Sequence, residues 1–210
     1  MEYTFHLYNK LAPDGISMAL HSLLQEQELL KNNQSRGAGL RRTLKQEPFS
    51  PISPIVVCVG SDLAIGDSLG PIVGSMLRYK TQGLDTFIYG TLSAPVTAKE
   101  IKYLRSHLKT THKKRVTIVV DAAVGAQGDI GMIKVSNTPL YPGAGANKKL
   151  GAIGDISIMG IVAEKSIANY ALLNTTRLNL VYTMSEIIAK ALTNVLYNLD
   201  ENSLQKRKIL

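Results

Sequence analysis

Two apolar runs, Ile55-Val56-Val57-Cys58-Val59 and Val116-Thr117-Ile118-Val119-Val120, constrain this chain more than any other feature. Runs so nearly continuous, without strict polar alternation, read as strands covered on both faces, the pattern of a parallel sheet between helices. Each run leads to an aspartate. The loop Gly60-Ser61-Asp62-Leu63-Ala64-Ile65-Gly66-Asp67-Ser68-Leu69-Gly70-Pro71 follows the first, and Asp121 directly follows the second. Ligands and chemistry in open α/β sheets gather in the crevice outside the carboxyl ends of the strands. Two strands that each present a carboxylate at that end point to one shared acidic site.

The rest of the chain supports the same architecture. A helix is expected over Leu69 to Lys80, a strand over Thr86 to Gly90 and a helix from about Ala98 to Leu108. The last opens on Thr97-Ala98-Lys99-Glu100, the spacing of a capping box. Gly125 to Gly131 reads as a turn, Met132 to Ser136 as a strand, Pro139 to Gly154 as a glycine-rich loop and Asp155 to Val162 as a strand. Thr176 is a candidate cap for a long final helix with Leu178, Val181, Ile188, Leu192, Val195 and Leu196 on its apolar side. Strands alternating with helices predict an α/β fold with a mostly parallel sheet and helices on both faces. Ahead of this, Ile16 to Leu30 has helical spacing with Asp14 as a candidate N-cap, and Lys31 to Pro54 is polar and loop-like. The division is therefore a helix and linker arm over 1–53, a hydrolase-like domain over 54–200 and a polar tail over 201–210.

Composition narrows the setting. The chain has 210 residues, enough for one well-packed domain. A single cysteine excludes an intramolecular disulfide, and Cys58 lies inside an apolar strand, where a buried, unreactive thiol is expected. Met1 to His6 lacks the basic and apolar regions of a signal peptide, and no apolar stretch approaches the ~18 residues of a membrane span. These features fit the cytoplasm. The net charge of +8 is spread over short groups such as Arg41-Arg42, Lys113-Lys114-Arg115 and Lys206-Arg207-Lys208. That reads as solvated surface rather than as a nucleic-acid-binding stripe.

Asp67 and Asp121 are the foremost candidates for chemistry. Carboxylates held close together cannot both ionise easily, so one keeps a proton while the other stays charged. Such a pair can activate water, act as base and acid, or hold a metal. Asp67 is equally placed to cap the helix that follows it, and Asp121 to bond the following turn. The segment Tyr141-Pro142-Gly143-Ala144-Gly145-Ala146-Asn147-Lys148-Lys149 offers backbone N–H groups and a cation to an anion or carbonyl oxygen, or else is a flexible turn. It is not a phosphate loop, lacking Gly-Lys-Ser/Thr. Asp155 is expected at the opposite end of the sheet, and Asp62 as a loop-shaping residue. The four histidines, His6, His21, His107 and His112, fall outside these loops, so neither a Ser-His-Asp mechanism nor a Cys/His metal spacing is available.

Taken together, Gly60 to Pro71, Tyr89-Gly90-Thr91-Leu92-Ser93-Ala94-Pro95-Val96, Val120-Asp121-Ala122, Pro142 to Lys148 and Ile153-Gly154-Asp155-Ile156 resemble the YyaC-type sporulation proteins. The resemblance runs from Pro54 to Leu199. That group is in turn similar to the spore germination protease and, more distantly, to the hydrogenase maturation proteases. The resemblance implies a three-layer α/β/α sandwich of the phosphorylase/hydrolase type. It implies that Asp67 and Asp121 match the proposed catalytic aspartates of the germination protease. Pro142 to Lys148 looks like a shortened form of a glycine-rich segment of that enzyme. In the hydrogenase maturation proteases the two acidic positions bind nickel together with a histidine, for which this sequence has no evident match.

The expected function is peptide-bond hydrolysis by the Asp67–Asp121 pair during sporulation or germination, in the cytoplasm of the forespore or in the spore core. Donors from Gly143, Gly145, Asn147 and Lys148 would steady the oxyanion. The substrates would be proteins or peptides, with small acid-soluble spore proteins the class the resemblance implies. No cofactor is required by this scheme; a divalent metal held by Asp67 and Asp121 is the weaker alternative. A non-catalytic module that keeps the fold and binds a peptide or protein is the competing function.

Overall fold

The computed structural model describes residues 1–35, 52–142, 151–165, 173 and 176–207. Six strands form one sheet: β1 (Glu2–His6), β2 (Ile55–Cys58), β3 (Phe87–Tyr89), β4 (Thr117–Gly125), β5 (Met132–Ser136) and β6 (Ile156–Glu164). Their order across the sheet is β1-β5-β6-β4-β2-β3. The pairings β6–β4, β4–β2 and β2–β3 are parallel, whereas β5 runs antiparallel to β6 and β1 antiparallel to β5. The helices are α1 (Ala12–Ser35), α2 (Leu69–Lys80), α3 (Ile101–Thr111) and α4 (Leu178–Arg207). The result is an α/β fold with a mixed, mostly parallel sheet flanked by helices.

The core explains the apolar runs. All of β2 is buried, and its side chains alternate between two clusters. Val56 and Cys58 join Ile118, Val120, Ile156 and Ile158 beneath α1, α2 and α4. Ile55, Val57 and Val119 face Ile101 and Leu108 of α3, with Leu140 and Ile153 alongside. Cys58 is a buried free thiol, and burial pushes its pKa up, which holds it in the unreactive protonated form.

The N-terminal segment departs from expectation. Among the described residues of 1–53, β1 forms the edge of the sheet, with Glu2 opposite Ser136 and His6 opposite Met132. α1 lies in the main core, with Ile16, Leu20, Leu23 and Leu24 buried. Ser17 Oγ ties it to α4 by donating to the Ala191 carbonyl at 3.1 Å. β1 and α1 therefore share the sheet and the core with the elements that follow, α1 supplying an apolar face that the sheet needs. α1 also starts earlier than expected, so Asp14 sits in its first turn rather than capping it, and Leu30 is exposed.

Smaller corrections have local causes. α3 starts at Ile101 because Glu100 accepts the Thr97 N–H at 2.9 Å and also the Thr97 hydroxyl, which completes a turn before the helix proper. α4 continues to Arg207, so residues 201–207 extend the helix rather than form a tail, and Leu178 at its start is exposed. Its residues Val181, Ile188, Leu192, Val195 and Leu196 are buried as the spacing predicts. Among the described residues, no helix is long and apolar enough to cross a membrane.

Candidate active site

Close backbone packing shapes the first acidic loop. Gly60, just past β2, has φ of +135°, and a Cβ there would collide with the carbonyl oxygen of Asp67. A Cβ at Gly70 would strike the Val59 carbonyl, and one at Gly74 the Gly90 carbonyl. Glycine at these positions lets the start of α2 press against the ends of β2 and β3. The loop then folds back on itself, with the Ser61 N–H donating to the Asp67 carbonyl oxygen at 3.1 Å. Ser185 Oγ of α4 donates to the Leu69 carbonyl at 3.3 Å and anchors the same turn from behind.

Asp67 falls within a short 3-10 turn, Ile65–Ser68, that leads into α2. The residue capping α2 is Ser68, and no side chain bonds the cap. Asp67 is therefore not spent on capping, and the alternative reading of this residue falls away. Its carboxyl is half-buried, and burial pushes its pKa up against the opposing effect of the Ser61 N–H.

Asp121 is not at the end of its strand, as the sequence reading expected. β4 continues to Gly125, because β6 remains paired with it as far as Glu164, with a register shift at Ala123/Val124. On its other side, however, the β2–β4 ladder stops at Cys58 opposite Val120. Asp121 is thus the first residue of β4 to project past the end of β2, where the Asp67 loop departs. The Ala122 N–H donates to Asp121 Oδ1 at 2.9 Å and fixes the carboxyl's rotation.

The two carboxyls are close enough to interact. The Asp121 pKa is pushed well above the usual carboxylate range, first by burial and then by the negative charge of Asp67. The charge on one carboxyl opposes ionisation of the other, so the pair holds a proton above the usual carboxylate range. One site consequently offers a carboxylate and a carboxylic acid side by side, a base and an acid.

The other candidates separate from this site. Asp155 lies at the opposite end of the sheet, as expected, where its Oδ2 pairs with Lys31 at 2.7 Å and accepts the Thr117 N–H at 2.8 Å. Asp62 is exposed, and Ser61 Oγ shapes that loop by accepting the Leu63 N–H at 3.2 Å. Gly143, Gly145, Asn147 and Lys148 lie outside the described residues.

The donor set does not fit a histidine-containing nickel centre. His6 is at the end of β1, His21 in α1, and His107 and His112 gather around Tyr89 on the α3 side. Among the described residues, no three His, Cys, Asp or Glu side chains are grouped to hold a metal ion. The grouping of Tyr89 with two histidines was missed in the sequence, where the three residues are distant and follow no shared periodicity.

Comparison with known proteins bears out the resemblance read from the motifs. YyaC of Bacillus subtilis (strain 168), described as an uncharacterized protein, is 40% identical over 155 residues, which cover 73% of this chain and 74% of that protein. Among solved structures, the NiFe hydrogenase maturation protease HycI from Thermococcus kodakarensis KOD1 aligns with a TM-score of 0.45 and 18% identity, covering 70% of this chain and 94% of that one. The family model described as "Protein of unknown function (DUF1256)" matches residues 30–191. This chain therefore belongs to the DUF1256 family and is a homologue of YyaC.

Proposed function

We propose that the protein is a peptidase of the phosphorylase/hydrolase-type α/β/α fold that cleaves protein or peptide substrates with the Asp67–Asp121 pair. The observation that carries this reading is electrostatic: burial, and then the charge of Asp67, raises the Asp121 pKa in a site beyond the end of β2. Ionised Asp67 takes a proton from water, whose oxygen attacks the peptide carbonyl carbon. Asp121 gives its proton to the carbonyl oxygen as the tetrahedral intermediate forms. On collapse, the proton on Asp67 passes to the leaving nitrogen, and Asp121 recovers its own from the hydroxyl that returns to carbonyl. Donors from Gly143 to Lys148 would polarise the carbonyl and steady the charge that develops on its oxygen until the Asp121 proton arrives.

The motif resemblance to sporulation proteins and to the germination protease supports small acid-soluble spore proteins as the substrate class, and the forespore or spore core as the setting. The test is incubation of purified protein with such proteins, followed by mass spectrometry. Asp67→Asn and Asp121→Asn should each slow cleavage by roughly 100-fold or more while the fold is kept. Undiminished cleavage by either folded variant contradicts the mechanism. Saturable binding without cleavage by the wild type would favour the non-catalytic peptide-binding module instead.

A further inference from the structure

His107, His112 and Tyr89 share no residue with the acidic site. They meet where the C-terminal half of α3 lies against the edge strand β3. The Tyr89 hydroxyl oxygen is 3.0 Å from His112 Nε2 and 3.3 Å from His107 Nε2. Both imidazoles thus turn the same nitrogen toward one oxygen. A phenol has one proton and can donate to only one of them, so a hydrogen-bonded network requires the two rings to adopt opposite tautomers.

The two oxygen–nitrogen separations also match those between ligands in a coordination shell. Ligands bound at about 2.0–2.1 Å lie about 2.9 Å apart at right angles and about 3.4 Å apart at the tetrahedral angle. The two separations here, 3.0 and 3.3 Å, fall within that interval. The other nitrogen of His107, Nδ1, lies 3.4 Å from Thr111 Oγ1. Donation from Nδ1–H to that hydroxyl leaves the Nε2 lone pair facing Tyr89, the outer support that metal-binding histidines use. We propose that His107 Nε2, His112 Nε2 and the Tyr89 oxygen form a binding site for a divalent first-row transition ion of the kind that imidazole favours, with its remaining positions open to solvent.

The surroundings permit such an ion. Arg115, whose charge acts on His112, is paired with Asp85, whose two carboxylate oxygens accept from its NH2 group at 3.0 and 2.9 Å. The carbonyl end of α3, which stops at Thr111, presents partial negative charge to a cation. His107 is exposed, which gives the ion an entry path.

The experiment uses the full chain without an affinity tag, titrated with Cu2+, the ion that such sites bind most tightly. One equivalent should bind, with a visible charge-transfer band from the Tyr89 phenolate as its proton leaves for solvent. His107→Gln and His112→Gln should each weaken binding roughly tenfold or more. Tyr89→Phe should abolish the band while the two imidazoles still bind. Asp67→Asn/Asp121→Asn should leave both affinity and band unchanged, which separates this site from the acidic one. Equal affinity in the wild type and both histidine variants, or a band that survives Tyr89→Phe, would overturn the assignment.

Discussion

Replacing Asp121 with Asn should stabilise the protein at neutral pH while disabling it. Asn is nearly isosteric and its side-chain oxygen can still accept the Ala122 N–H, so the substitution removes the ionisable group and little else. In the folded wild type, burial and Asp67 raise the Asp121 pKa. Between the unfolded value, about 3.9, and that raised folded value, the native state holds a proton that the unfolded state has lost. Stability contributed by this proton is fully present below the unfolded pKa and is lost as pH rises through the folded one. One proton gives a slope of at most about 1.4 kcal/mol per pH unit. Chemical denaturation of wild type and Asp121→Asn from pH 4 to pH 8 measures it. Glu28, pushed up to about 7 chiefly by burial, adds a slope of the same sign to both proteins and cancels in their difference. The difference curve should therefore show Asp121→Asn gaining on the wild type as pH rises across the window. A flat difference, or a loss of stability that grows with pH, refutes the reasoning.

Three further perturbations probe the fold and the site. Leu20→Ala, in α1, should cost about 2–5 kcal/mol in denaturant unfolding, a loss that a helix outside the core would not show. Gly60→Ala should force the loop away from the Asp67 carbonyl; backbone strain of about 1–3 kcal/mol should appear as a lower Tm, and cleavage should fall with it. Asp155→Asn breaks the contact with Lys31 at 2.7 Å and should cost about 1–3 kcal/mol while leaving cleavage intact, because it sits at the opposite end of the sheet.

The central strands were legible because each buried run carries its own signal, continuous apolar character, without reference to partners. β1 was not. Glu2-Tyr3-Thr4-Phe5-His6 is a short, half-exposed edge strand, and its partner β5 lies more than a hundred residues away in the chain. Pairing over that separation leaves no local trace. The same limit affected Asp121. Its position after an apolar run correctly marked the end of the β2–β4 ladder, but the continued pairing of β4 with β6 depends on a distant strand. Asp67 was ambiguous between cap and acid for a physical reason: both roles need a short acidic side chain beside a helix start. The 3-10 turn that shifts the cap to Ser68 separates them only in three dimensions.

The account rests on Asp67 and Asp121 acting on one another, and carboxyl 13C NMR titration of the selectively labelled aspartates tests that directly. In the wild type, Asp121 should titrate well above the ordinary aspartate range and after Asp67. In Asp67→Asn, the Asp121 midpoint should move down because the neighbouring charge is gone, with the part caused by burial remaining. An Asp121 midpoint that is the same in both proteins would contradict the pairing, and the proposed peptidase mechanism with it.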